Sequence, residues 1–171
     1  MSKRSCVKSR AFFGYDNNRR KHRYLLERIW DNAENKGMAT IVMFNPSYAD
    51  ELKYDKTSMN VVNYLLDKEK YNGVYILNLY SIVETNGENV TGELKKVGND
   101  RSNRFMKIAF KNSKDIYVAW GSSKDNDKRI KEVKNIMRAS GHNDIYQLLD
   151  KDGKATHPSI CTIVSDKKIS L

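Results

Sequence analysis

Four short apolar runs constrain the fold of this chain more than any other feature of its sequence. They cover residues 38–44, 73–80, 115–121 and 144–149. Consecutive apolar side chains over so short a length are typical of a strand that is buried on both faces. Segments with helical spacing of apolar residues separate these runs. The alternation predicts an α/β fold with three layers, α/β/α, around a central, mainly parallel four-stranded sheet.

The segments between the runs carry apolar side chains at helical spacing. Helices are predicted over residues 22–37, 56–70, 100–113 and 125–140. The first, HRYLLERIWDNAENKG, is assigned from Tyr24, Leu25, Ile29 and Trp30, with Gly37 as its expected end. No internal repeat or linker interrupts the 171 residues, so we expect a single domain over residues 1–171.

Membrane, secretory and metal-binding signals do not occur in the sequence. No apolar run approaches the roughly 20 residues of a membrane-spanning helix, and no apolar segment follows the basic N-terminus as it does in a secretory signal. Cys6 and Cys161 form no CxxC pair, and the three histidines lie far apart. We therefore expect a reduced cytoplasmic protein with no membrane contact, no bound metal and no cofactor.

The chain carries a net charge of +10, from 31 Lys and Arg against 21 Asp and Glu. Its basic residues cluster outside the apolar runs, in KRSCVKSR, NNRRKHR, KKVGNDRSNR and SSKDNDKRIKEVK. Such clusters keep a protein soluble, and they also bind polyanions, because contacts with phosphates release counterions. The charge alone leaves both interpretations open.

The residues at the end of each predicted strand are the first candidates for a functional site, because ligands of parallel sheets bind beyond the carboxyl ends of the strands. NPSYAD follows the first run, Asn78 lies within the second, WGSSKD ends the third, and THPS lies beyond the fourth. Singly, each has a structural explanation, since Asn-Pro forms turns and Trp120 suits a core. Together they place small hydrogen-bonding groups and proline-fixed loops on one edge of the sheet.

Four of these segments, MFNPS, YILNLY, YVAWGS and THPS, resemble in order the motifs of the uracil-DNA glycosylase superfamily. The resemblance spans residues 39–159, and the blocks also look like those of an uncharacterised prokaryotic and phage family. It implies a uracil-DNA-glycosylase-like fold and a monomeric, monofunctional DNA glycosylase that needs no cofactor. Such an enzyme acts on a base flipped out of duplex DNA and hydrolyses its N-glycosidic bond, which leaves an abasic site.

The resemblance also implies roles for individual residues. Asn45 matches the position that handles the attacking water, His157 the histidine that stabilises charge on the departing base, and Asn78 the amide that reads the base. An amide cannot become a strong base, so Asp50 and Asp55 are candidates for a carboxylate that assists the water. Asp55 is explained equally well as a helix cap.

Two further sets of residues complete the expected site. Around the base, the expected contacts are Pro46, Ser47, Tyr48 and Tyr80. Along the DNA backbone, they are Ser122, Ser123, Lys124 and Ser159. Arg129 is a further basic residue that we expect to bind phosphate.

Three departures from the superfamily motifs bear on the substrate. Asn45 stands where the uracil-specific branch has aspartate, Ser47 replaces a bulky aromatic residue, and Ile160 replaces a proline. The small Ser47 leaves space for a modified or damaged base that is larger than uracil. Phage-modified cytosine, such as glycosylated hydroxymethylcytosine removed as an antiphage defence, is one such substrate. Two other functions stay open: a hydrolase of free nucleotides or nucleosides, and a non-catalytic nucleic-acid-binding protein.

Overall fold

The computed structural model describes residues 8–31, 33–84, 86–96, 98–121, 127–159 and 162–171. In these ranges the chain forms the strands β1 (Lys8–Tyr15), β2 (Lys21–Ile29), β3 (Gly37–Met43), β4 (Tyr71–Asn78), β5 (Ser113–Ala119), β6 (Asp144–Leu149) and β7 (Ser165–Ser170). The same ranges contain the helices α1 (Lys56–Asp67), α2 (Asn99–Lys111) and α3 (Lys128–Ala139). Two 3-10 turns, Gly87–Asn89 and Gly92–Lys95, lie between β4 and α2.

All of these strands belong to one mixed seven-stranded sheet, in the order β1-β2-β4-β3-β5-β6-β7. β3 pairs in parallel with β4 and with β5, and β5 pairs in parallel with β6. The pairs β1 with β2, β2 with β4, and β6 with β7 are antiparallel. The prediction of a uracil-DNA-glycosylase-like fold with a central, mainly parallel four-stranded sheet is therefore wrong, because β1, β2 and β7 extend the sheet on both sides with antiparallel strands.

The predicted helix over residues 22–37 is also wrong, because β2 occupies most of that segment. Every residue from His22 to Arg28 is buried. Leu25 packs into the core beneath α2 and α3, whereas its neighbour Leu26 packs into the core beneath α1. The apolar residues of this segment have helical spacing, but the polar residues between them are buried too. Arg28, for example, donates to backbone oxygens of the loop that follows β3.

Helices cover both faces of the sheet. On one face, α2 and α3 contribute Phe110 and Val133 to a core that includes Val42 of β3. On the other face, α1 contributes Val61 to a core that includes Ile41 of the same strand. Adjacent residues of β3 thus point into opposite cores, as the alternation of side chains along a strand requires. With both faces covered, the ends of the strands remain as the place for a site.

Helix α1 begins with a capping box that fixes its start near the carboxyl end of β3. Asp55 Oδ1 accepts a hydrogen bond from the Ser58 N–H at 2.6 Å, and the Asp55 N–H donates to Ser58 Oγ at 3.2 Å. Ser58 is itself buried. The cap was one of the two roles that the sequence left open for Asp55, and it holds the Asp55 carboxylate in one position.

The expectation that Arg129 binds phosphate is wrong, because its side chain is buried. Arg129 is 5% exposed, and its Nε donates to the oxygen of Leu79 at 2.8 Å. Its Nη1 donates to Asn103 Oδ1 and to Glu132 Oε2, each at 2.7 Å. Arg129 therefore ties α3 to α2 and to the end of β4, which is a structural role.

Two further expectations concern membranes and cysteines. Within the described ranges, no helix is long and apolar enough to cross a membrane. Cys6, Ile160 and Cys161 lie outside the described residues, so the expectations that rest on them stay predictions.

Candidate functional site

A pocket of about 850 Å³ opens at the carboxyl ends of the parallel strands. Its walls come from the loops after β3, β4, β5 and β6 and from the first turn of α1. Five residues that the sequence singled out line this pocket: Asn45, Ser47, Asp55, His157 and Ser159. The fold therefore brings together groups that lie on separate loops.

The loop after β3 holds Asn45 in a fixed orientation. Its Nδ2 donates a hydrogen bond to the backbone oxygen of Glu84 at 2.5 Å. The Glu84 N–H in turn donates to the oxygen of Pro46 at 3.0 Å, and Pro46 is buried. Because the amide nitrogen is engaged, Oδ1 is the atom of Asn45 that can accept a hydrogen bond from a ligand or a water molecule.

Asp55 places a negative charge on the wall of the pocket. While its Oδ1 caps α1, its Oδ2 accepts a hydrogen bond from Ser47 Oγ. Burial alone would raise the pKa of this carboxyl group. Hydrogen bonds from Ser47 and Ser58 and the charge of Arg23 nevertheless hold its pKa below the usual value. Asp55 is therefore ionised at neutral pH.

His157 lies in the loop after β6, which Asn60 of α1 fixes by donating from Nδ2 to the oxygen of Pro158 at 2.9 Å. The imidazole Nδ1 lies 2.7 Å from Ser159 Oγ and accepts from the Ser159 N–H at 3.3 Å. Burial lowers the pKa of His157, and the charge of Asp55 opposes this only in part. We therefore assign a neutral imidazole with its proton on Nε2, which can donate to a ligand.

The lowered pKa of His157 predicts how folding stability depends on pH. The unfolded chain takes up a proton near the usual histidine value of 6.5, whereas folded His157 does so only at lower pH. The free energy of unfolding should therefore fall as the pH drops below about 6.5, until the folded pKa is reached. Urea unfolding at about pH 7 and about pH 5 should show a larger loss of stability for the wild type than for His157→Gln. An equal loss in the two proteins would contradict the lowered pKa.

Arg23 is a pocket residue that the sequence did not reveal. It lies near the start of β2, and because β2 runs antiparallel to β4, this residue reaches the carboxyl ends of the parallel strands. Its Nη1 donates to the oxygen of Ala49 at 2.8 Å, and its Nη2 donates to Asn78 Oδ1 at 3.3 Å. Burial lowers the pKa of Arg23 to about 10, so the guanidinium stays charged at neutral pH. Its place in the basic run NNRRKHR was the only signal, and that run does not distinguish a buried arginine from a surface one.

Asn78, the expected reader of the base, is the last residue of β4 and lies next to the pocket. It is 4% exposed and does not itself line the wall. Its link to the pocket is the hydrogen bond from Arg23, which does line the wall. Any contact of Asn78 with a ligand therefore involves Arg23 as well.

Two other expected site residues, Tyr80 and Asp50, serve the fold. Tyr80 is 2% exposed, and its hydroxyl donates to Asp127 Oδ2 at 3.1 Å. Asp50 Oδ1 accepts from the N–H groups of Leu52 at 2.9 Å and Lys53 at 2.7 Å, so its carboxylate closes a turn. Neither Tyr80 nor Asp50 is among the residues that line the pocket.

The remaining expected residues lie at the edge of the site or beyond the described ranges. Tyr48 is 69% exposed and is not among the residues that line the pocket, and buried Pro46 is not among them either. The expected backbone contacts Ser122, Ser123 and Lys124 lie outside the described residues. Their contact with DNA stays a prediction.

The pocket is acidic although the chain as a whole is basic. Its described lining includes the carboxylates of Asp55, Glu84, Glu88 and Asp150 but only the cations of Arg23 and Lys95. This lining suits a neutral or hydroxyl-bearing group better than a phosphate. In the part of the chain that the structure describes, no group of three or more histidines, cysteines or carboxylates is placed to hold a metal ion.

The fold and the site together define a class: an α/β protein with a mixed sheet and a polar pocket at the carboxyl ends of its parallel strands. A family model described as "Protein of unknown function (DUF1643)" matches residues 23–159. The chain belongs to this family, and the matched segment contains Arg23, Asn45, Asp55 and His157. No curated protein and no solved structure matches the chain.

Proposed function

We propose that the protein is a DNA glycosylase that hydrolyses the N-glycosidic bond of a modified or damaged base and leaves an abasic site. The observation that carries the proposal is that Asn45, Asp55 and His157 line one pocket. Asn45 offers a hydrogen-bond acceptor, Asp55 a negative charge and His157 a neutral N–H donor. The ordered motifs that resemble the uracil-DNA glycosylase superfamily support the same activity.

The proposed reaction uses each of these groups at the point where charge develops. As the bond between C1′ and the base nitrogen breaks, its electrons move to the base and the sugar becomes positive. The Nε2–H of His157 donates to an oxygen of the departing base, and the carboxylate of Asp55 stabilises the positive sugar. Asn45 Oδ1 orients the water. The water gives its hydroxyl to C1′ and its proton, directly or through Asp55, to the departing base.

The dimensions of the pocket favour a base larger than uracil. Its volume of about 850 Å³ lies in the upper part of the range of about 300–1,000 Å³ that is typical of sites for drug-sized ligands. Ser47 contributes only a small side chain to the wall, and its hydroxyl is bound to Asp55. We propose phage-modified bases as one source of such substrates, with the protein acting in the cytoplasm as an antiphage defence.

Basic and aromatic side chains beside the pocket support duplex DNA as the partner. The turn that joins β1 to β2 lies at the pocket end of the sheet. Lys21, just after this turn, accepts a hydrogen bond from the Val83 N–H at 2.9 Å, and the next residue, Glu84, lines the pocket. Arg19 is exposed in this turn, and nearby Tyr15 is 68% exposed. A cation for phosphate and an aromatic ring for a base are side chains by which proteins hold nucleic acid.

Charge reversal at Arg19 is expected to weaken DNA binding for all sequences alike. Arg19→Glu removes one phosphate contact, so the slope of log affinity against log salt should decrease by about 1. Arg138→Glu is the matched control, because Arg138 is exposed in the last turn of α3, at the opposite end of the sheet. Fluorescence anisotropy over a salt series measures both variants. Equal affinity of the two variants would show that the turn does not contact DNA.

A hydrolase of free nucleosides is the second candidate function, and the charge of the pocket is the observation that favours it. Carboxylates such as Glu84, Glu88 and Asp150 bind sugar hydroxyls but repel a free phosphate. Free nucleotides are therefore poorer substrates for this pocket than nucleosides. In duplex DNA the phosphates run outside the pocket, so the same carboxylates do not exclude a flipped base.

Incubation with a panel of duplexes, each carrying one modified or damaged base, tests the proposal. We expect abasic sites in at least one duplex and no base release from free nucleotides. Base release from free nucleosides alone would favour the second candidate. DNA binding without release of any base would favour a non-catalytic binding protein.

A further inference from the structure

Two buried N–H groups beside the pocket have no hydrogen-bond partner among the described residues: Arg23 Nε and Asn78 Nδ2. Arg23 is 3% exposed and Asn78 is 4% exposed. Buried polar groups are nearly always paired, so two unpaired donors on adjacent side chains call for an explanation. Arg23 lines the pocket, and a ligand that fills the pocket can bring acceptors to this pair.

The contact between the two side chains fixes what Asn78 offers to a ligand. A guanidinium can only donate, so the atom that Arg23 Nη2 contacts at 3.3 Å is the carbonyl oxygen of the Asn78 amide. With Oδ1 turned to Arg23, the atom left for a ligand is Nδ2. An asparagine without this neighbour would offer one donor and one acceptor. Beside Arg23, it offers a donor alone.

We infer that Arg23 is a specificity-determining residue, which makes Asn78 a donor-only reader and selects a cytosine-type base over a uracil-type base. The inference rests on the proposed function and deepens it. The O2 and N3 atoms of cytosine are adjacent acceptors, and both match the N–H groups of Arg23 and Asn78. Uracil and thymine carry a hydrogen on N3, which would face the N–H of Asn78 and leave two buried donors unpaired.

The other polar edge of a cytosine-type base is also matched by the pocket. The exocyclic amino group of cytosine, N4 on ring atom C4, is a donor and needs an acceptor, and carboxylates are suitable partners for it. The lining carboxylates of Glu84, Glu88 and Asp150 supply such acceptors. Substituents at C5 of the ring would occupy the remaining volume.

Binding measurements with an unpaired target base test this inference without requiring catalysis. The probes are two duplexes that differ only in one nucleotide, deoxycytidine or deoxyuridine, placed opposite an abasic site so that flipping costs little. The wild type is expected to bind the cytosine duplex on the order of 10-fold more tightly or better, which is the discrimination that paired donors and acceptors provide. Asn78→Asp replaces the donor Nδ2 by an acceptor and keeps the shape of the side chain. This variant should therefore favour the uracil duplex.

A second variant with a matched control separates base reading from loop support. Arg23→Lys keeps a charged donor but loses the second guanidinium nitrogen, which reaches Asn78. The ratio of the affinities for the cytosine and uracil duplexes should therefore fall towards one. Arg28 holds oxygens of the same loop, those of Asp50 at 2.6 Å and Glu51 at 2.7 Å, without a hydrogen bond to Asn78. Arg28→Lys should therefore loosen the loop but keep the preference for cytosine.

The outcomes distinguish this inference from the proposed function. Wild-type binding that is equal for both duplexes, or that favours uracil, overturns the inference alone. A preference that is unchanged in both Asn78→Asp and Arg23→Lys overturns it as well. Failure to bind either duplex overturns the inference together with the DNA glycosylase proposal. A preference for cytosine here, combined with no base release from the whole panel of duplexes that carry modified or damaged bases, supports the inference and contradicts the proposed catalysis.

Discussion

Alanine in place of His157 is expected to slow base release by about 10²–10³-fold in single-turnover experiments. The imidazole contributes mainly while negative charge builds up on the departing base, so its loss should appear in the chemical step and leave DNA binding almost unchanged. Because Ser159 donates to Nδ1, the proton of the neutral ring lies on Nε2. His157→Gln keeps an N–H donor near this place and should recover part of the rate.

His142→Ala is the matched control for this experiment. His142 Nε2 lies 2.9 Å from the oxygen of Phe110 at the end of α2, and His142 is not among the residues that line the pocket. This variant should keep the wild-type rate. An unchanged single-turnover rate in a folded His157→Ala protein would remove His157 from the proposed chemistry.

The strands that could be predicted from the sequence are those in which nearly every residue is apolar. β3 and β4 are covered on both faces, so continuous apolar runs mark them. β7, with the sequence SDKKIS, is an edge strand with exposed positions and carries no such run. β1 lies at the other edge and alternates between exposed and half-buried residues. β7 joins the sheet by pairing with β6, and β1 joins it by pairing with β2. Hydrophobic periodicity within one segment cannot predict such pairing.

β2 was predicted to be a helix from the spacing of its apolar residues, and the burial of its polar residues explains why that prediction failed. A helix-like spacing of apolar residues is meaningful only if the residues between them face water. In β2 the polar residues His22, Arg23 and Arg28 are buried as well. Arg23 and Arg28 are stabilised by backbone oxygens of the loop after β3, which lies far from them in sequence. Only the folded chain shows those partners.

In the candidate site, too, only the residues with a local sequence signal could be predicted. Asn45, Asp55 and His157 lie just beyond predicted strands or at a predicted helix start, and these local signals placed them at the carboxyl end of the sheet. Arg23 reaches that end only because β2 runs antiparallel to β4. The acidic side of the pocket, with Glu88, comes from the irregular segment between β4 and α2. No periodicity predicts the course of such a segment.

Asparagine in place of Asp55 is expected to reduce the rate of base release by about 10²–10³-fold and to leave the fold intact. Asparagine caps a helix as well as aspartate does. Its side-chain oxygen can still accept the bond from the Ser58 N–H, which Asp55 now receives at 2.6 Å. The lost feature is the negative charge that would stabilise the positive sugar. Because the pKa of Asp55 lies below its usual value of 3.8, that charge is present throughout the neutral range.

Asp127→Asn separates the loss of this charge from any change at the helix cap. Asp127 caps α3 as Asp55 caps α1, by accepting from the Arg129 N–H at 2.7 Å, but it does not line the pocket. Thermal unfolding should therefore show similar, minor shifts for both variants. Only Asp55→Asn should lose rate, at nearly unchanged DNA affinity, because the sugar becomes positive only on the way to the transition state. Equal rates for the two variants would restrict Asp55 to capping α1, and Asn45 would then be the residue left to position the water.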